Sequence, residues 1–100
     1  MNILEVLFFK KGDMKFISHL DLVRLFQRAS RRAGLPVKIT EGYSPHSKIS
    51  ILKALKLGVE SNGETALLYM ASYVEPEKIK DSLNSKLPKN IQVTETKYRK

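Results

Sequence analysis

The chain has 100 residues and no cysteine, and it carries 18 Lys and Arg against 10 Asp and Glu, a formal net charge of +8. That length holds one small domain. Without a thiol there are no disulfides, no cysteine nucleophile and no thiolate ligands for zinc or an iron–sulfur cluster. An apolar content of 42% is that of a globular protein rather than a disordered one. No apolar run approaches the ~18 residues of a membrane span, and Met1–Glu5 lacks the basic start of a signal peptide. The reading is therefore a single domain over 1–100, cytoplasmic, with no membrane partner. The basic excess favours a polyanion such as RNA, or is a solubilising coat.

In chain order, Ile3–Lys10 is apolar almost throughout and reads as a central strand buried on both faces. Lys11-Gly12-Asp13 turns the chain. Ser18 is a helix N-cap, with Asp21 three residues on. The helix should run from about His19 to Ala33 and end at Gly34, with Pro36 beyond. At 100° per residue, Leu22, Phe26, Ala29 and Ala33 form its core stripe, flanked by Val23 and Ser30, while Asp21, Arg24, Arg28 and Arg31 fall opposite, with Arg32 at the margin.

Val37–Thr40 reads as a short strand and Glu41–Lys48 as a loop. Alternation over Ile49–Val59 predicts another strand, interrupted at Lys53, and Ser61-Asn62-Gly63 a hairpin turn. Thr65–Val74 would pair back on it, with Tyr69 and Tyr73 sharing a face beside Lys53 or Lys56. Pro76 opens a second helix with the stripe Ile79, Leu83, Leu87, stopped by Pro88. Ile91–Tyr98 alternates as the last strand. This order predicts an α+β, ferredoxin-like sandwich: an antiparallel sheet with two helices on one face and an extra hairpin strand.

The unusual chemistry lies in Phe16–Ser50, which holds both histidines and all but one of the arginines. Arg24, Arg28 and Arg31 recur at four and three residues, a rise of about 5–6 Å between neighbours, close to the spacing of phosphates along a strand. Their guanidinium forks suit phosphate. The plainer reading is a solvated face paired locally, as Asp21 with Arg24. In the loop, Lys48 with Ser44, Ser47 and His46 would hold a phosphate or carboxylate, and Tyr43 would stack on a base. The plainer alternative packs Tyr43 and Pro45 on the core.

His19 falls on the core-facing side and reads as a partly buried residue. The sharper alternative pairs it with His46 as acid and base in metal-free RNA cleavage. Glu60 marks a strand end rather than a catalytic group. The residue spacings offer no metal site, and no cofactor is expected.

Phe16-Ile-Ser-His-Leu-Asp21, Gly42-Tyr-Ser-Pro-His-Ser-Lys-Ile-Ser50 and Leu57-Gly-Val-Glu-Ser61 together resemble the radical-SAM-linked domain of unknown function, whose members are often about twice this length. Where that family tends to have a Pro-rich apolar stretch, this chain has Leu52-Lys-Ala-Leu-Lys56. The resemblance implies an accessory role beside a radical-SAM protein, in RNA modification or ribosome-related chemistry.

Three readings follow. The leading one is an RNA- or phosphate-binding module using Arg24, Arg28, Arg31, Arg32, Tyr43, His46 and Lys48. The alternatives are a ribonuclease built on His19 and His46, and a protein-interaction scaffold offering the Ile49–Val59 edge.

Overall fold

The computed structural model describes residues 2–52 and 61–100. Strand β1 (Asn2–Lys10) leads through a 3-10 turn at Gly12–Phe16 into α1 (His19–Arg32), followed by β2 (Ile49–Ile51), β3 (Ser61–Met70), α2 (Pro76–Asn84) and β4 (Ile91–Tyr98). The four strands form one sheet in the order β2-β3-β1-β4, and every neighbouring pair is antiparallel. β1 and β2 are joined across α1 with β3 between them, and β3 and β4 across α2 with β1 between them. This is the split βαβ arrangement of the ferredoxin-like sandwich, as expected.

Both helices pack on one side of the sheet. Leu4, Val6 and Phe8 of β1 and Ala66, Leu68 and Met70 of β3 meet Leu22, Phe26 and Ala29 of α1 and Ile79 and Leu83 of α2 in one buried cluster. Each large apolar side chain so buried contributes about 1.5–3 kcal/mol. The other residues of β1 (Ile3, Glu5, Leu7 and Phe9) are only partly buried, so β1 is buried on one face and not on both. An unbroken apolar run does not by itself distinguish a two-layer from a three-layer sheet.

Helix α1 starts and stops where its capping residues place it. The Ser18 hydroxyl accepts from the backbone N–H of Asp21 at 3.1 Å, satisfying a free first-turn donor. At the other end Leu35 N–H donates to the Ser30 carbonyl, and Gly34 N–H to that of Arg31, both at 3.1 Å. That is a Schellman motif, and Gly34 supplies its positive φ of 69°.

Ser30 is fully buried, and its hydroxyl has no hydrogen-bond partner among the described residues. Replacing it by alanine removes an unsatisfied polar group and improves helix propensity. Ser30→Ala should leave stability unchanged or raise it by up to about 1 kcal/mol, as read by urea denaturation. A loss of about that size would show that the hydroxyl is bonded after all.

Other expectations need correction. The 3-10 turn replaces the simple turn at Gly12, which sits at φ 59°, and a Cβ there would lie 2.9 Å from the Asn90 amide nitrogen. Lys10 ends β1 buried on the core side and donates from Nζ to the Lys15 carbonyl at 3.3 Å. The extra strand over Val37–Thr40 is present as two isolated bridges, Val37 to Met70 and Ile39 to Ser47. Ser61-Asn62-Gly63 belongs to β3 rather than to a turn. There Ser61 pairs with Lys10, so pairing with a long central strand overrides local turn propensity.

Strand β3 ends at Met70, so Tyr73 lies beyond it. Tyr73 stacks on Tyr98 with centroids 5.0 Å apart, whereas Tyr69 lies beneath Lys48. The two do not form a shared platform. Helix α2 stops at Asn84, short of Leu87, which is buried all the same. Asn84 instead serves β4. Its amide donates to the Val93 carbonyl at 2.9 Å, and its oxygen accepts the Val93 N–H at 2.7 Å. Lys53, Lys56, Gly58, Glu60 and the Leu57-Gly-Val-Glu stretch lie outside the described residues.

Candidate polyanion-binding face

The amphipathic period of α1 sets the site. Because Leu22, Phe26 and Ala29 are drawn into the core, the opposite side must face water, and Asp21, Arg24, Arg28 and Arg31 are all exposed. Arg24 lies 3.9 Å from Asp21, with both side chains 63% exposed, a geometry in which an ion pair contributes little. Among the described residues Asp21 is the only acid within ion-pair distance of this row, so the arginines keep most of their charge for a ligand.

The loop after α1 folds back against this face. Ile39 bridges Ser47, Thr40 N–H donates to the His46 carbonyl at 2.8 Å, and His46 N–H donates to the Thr40 hydroxyl at 3.2 Å. Gln27 of α1 donates to the Ser47 carbonyl at 3.3 Å, tying loop to helix. The result is a concavity of about 170 Å³ lined by Arg24, Gln27, Arg28, Arg31, His46 and Ser47. His46 Nδ1 lies 2.8 Å from the Ser44 carbonyl. A carbonyl only accepts, so Nδ1 carries the proton and Nε2 is left for a ligand.

The structure therefore brings Arg24, Arg28, Arg31 and His46 together and leaves the other candidates outside. Arg32 is exposed in the last turn of α1 and does not line the concavity. Tyr43 is fully exposed rather than packed on the core. Lys48 is placed on the opposite layer. Ile49 and Ile51 point into the core, so by strand alternation Lys48 faces the open side of the sheet, where its Nζ lies 4.7 Å from the Tyr69 ring centroid. That correction removes Lys48 from the arginine site.

His19 is exposed, not partly buried. Its neighbour Leu20 is 57% exposed as well. His19 is not among the residues around His46, so the two histidines do not share this concavity. Gln27 is not among the sequence candidates, although it lies three residues after Arg24 and four before Arg31, on the same stripe. Ser47 was counted only as a loop hydroxyl. It is buried, and its carbonyl serves the helix.

Fold and face together define a small ferredoxin-like α+β domain with an arginine-lined helix layer. The chain belongs to the family described as "Uncharacterized protein conserved in bacteria (DUF2344)", which it matches over residues 4–100. No curated protein matches it. Among the described residues no helix is long and apolar enough to cross a membrane.

Proposed function

We propose that this domain is an accessory RNA- or phosphate-binding module that holds a nucleic-acid backbone on the outer face of α1. The observation that carries the reading is the gathering of Arg24, Arg28, Arg31 and His46 around one concavity, with the weak Asp21 contact as the local counter-charge. Planar guanidinium forks bind phosphate bidentately, and the unprotonated His46 Nε2 would accept a hydrogen bond from a base N–H or a ribose hydroxyl.

The motif resemblance supports placing the module beside a radical-SAM enzyme, and the absence of cysteine fits the cytoplasm. The domain has no cysteine, so the cluster that such chemistry uses would be ligated outside it. The module would then present substrate and leave the reaction to its partner.

The test is a salt titration of binding to a labelled mixed-sequence RNA. Each phosphate neutralised on a single strand contributes about −0.7 to the slope of log K against log salt. Three arginines thus predict a slope near −2 or steeper. Binding indifferent to salt, or absent at low salt, would overturn the proposal and leave the +8 charge as a coat.

A further inference from the structure

The arginine row does not border one hollow but separates two. Beside the concavity that holds His46 lies a second one of about 310 Å³, lined by Ile17, Asp21, Arg24, Leu25 and Arg28. Arg24 and Arg28 line both, so they form a cationic ridge with a hollow on either flank. The flanks differ in chemistry. One is floored by the apolar side chains of Ile17 and Leu25, which are partly buried against the core. The other is polar, with Gln27, His46 and the Ser47 backbone.

Two exposed aromatic residues lie close in sequence to residues that line the hollows. Phe16 immediately precedes Ile17 and is 59% exposed, with the Lys15 Nζ 5.3 Å from its ring centroid. Tyr43 precedes His46 by three residues and makes no contact that shields it from water. Exposed aromatic rings together with arginines are the components of a stacking site for unpaired bases.

From this juxtaposition we infer that the ligand is a single strand that crosses α1, with the phosphate of one internucleotide step on the Arg24–Arg28 ridge. The two adjoining bases lie in the flanking hollows, one against Ile17, Leu25 and Phe16, the other against His46 and Tyr43. The rise from Arg24 to Arg28 is about 6 Å, which admits one or two phosphates of one strand. A duplex turns its stacked bases inward and presents only phosphates, so it would use the ridge but leave both hollows and both aromatic rings unoccupied. Charge complementarity selects a nucleic acid, and the hollows select its unpaired form. The inference rests on the reading above and adds strandedness and base contacts to it.

The chain has no tryptophan, so Tyr43→Trp installs a single reporter at the loop tip. Its emission should be quenched by a single-stranded RNA 12-mer and not by the same strand annealed to its complement. Phe16→Ala and Tyr43→Ala, both at exposed positions, should each weaken single-strand binding roughly fivefold or more while leaving duplex binding unchanged. Tyr43→Phe should bind as the parent does. Equal affinity for duplex and single strand, or single-strand affinity indifferent to both alanine substitutions, overturns the inference while leaving salt-dependent binding, and hence the proposed function, intact. Failure of both RNAs to bind at low salt overturns both.

Discussion

Phe26→Ala is expected to destabilise the domain by about 3–5 kcal/mol. The side chain is fully buried, and its ring meets that of Phe8 at 4.8 Å with an interplanar angle of 59°, a tilted arrangement favourable to aromatic quadrupoles. Phe26 is the middle of the three apolar residues that seat α1 on the sheet, so truncation opens a cavity between helix and β1 that neither neighbour can fill. Domains of this size are stable by roughly 5–15 kcal/mol, and each kcal/mol shifts Tm by about 4–8 °C. A fall in Tm of more than about 12 °C is therefore expected, measured by circular dichroism. Phe26→Leu, which keeps most of the volume, should lose less than half as much. A loss below about 1 kcal/mol for the alanine variant would mean that α1 is not anchored through this residue.

The same residue shows what the sequence makes legible. The 3.6-residue period places Leu22, Phe26 and Ala29 together, and the arginines opposite, from arithmetic alone. The Ser18 cap and the Gly34 stop bracket the helix because capping is local chemistry. Periodicity gives azimuth but not height, however. His19 shares the azimuth of Leu22 and Phe26 and is nevertheless exposed, since burial needs a neighbour at that level.

The errors along the sheet have a related origin. Ser61-Asn62-Gly63 has turn-forming composition, yet its conformation is decided by a partner strand distant in sequence. For the candidate site, the arginine row is legible from the helical period, and the fold places His46 beside it. The concavity itself is not legible, because it depends on Gln27 tying the loop to the helix and on Thr40 closing the loop on itself. Lys48 reads as loop in the sequence but directly precedes β2. Carrying the alternation of Ile49 and Ile51 back one residue would have put it on the far face of the sheet.

Removing the two shared arginines should have the largest effect on ligand binding. In Arg24→Ala/Arg28→Ala both concavities lose the residues common to them, while the core stripe of α1 is untouched, so the fold should persist with an unchanged thermal transition. Asp21 loses its weak partner, at little cost because both side chains are largely exposed. If the two arginines together neutralise one or two phosphates of a single strand, the slope of log K against log salt should become shallower by about 0.7–1.4. Affinity at low salt should fall by at least tenfold, roughly the effect of losing two charge-assisted contacts worth about 1.5–3 kcal/mol each when well formed, discounted for solvent exposure. Arg24→Lys/Arg28→Lys separates charge from geometry. It should keep most of the salt slope, since the charge remains, but lose affinity, since an ammonium cannot reproduce the bidentate fork. An unchanged slope in the alanine pair would place the phosphate contacts elsewhere on the chain, with Lys48 on the open sheet face as the next residue to substitute.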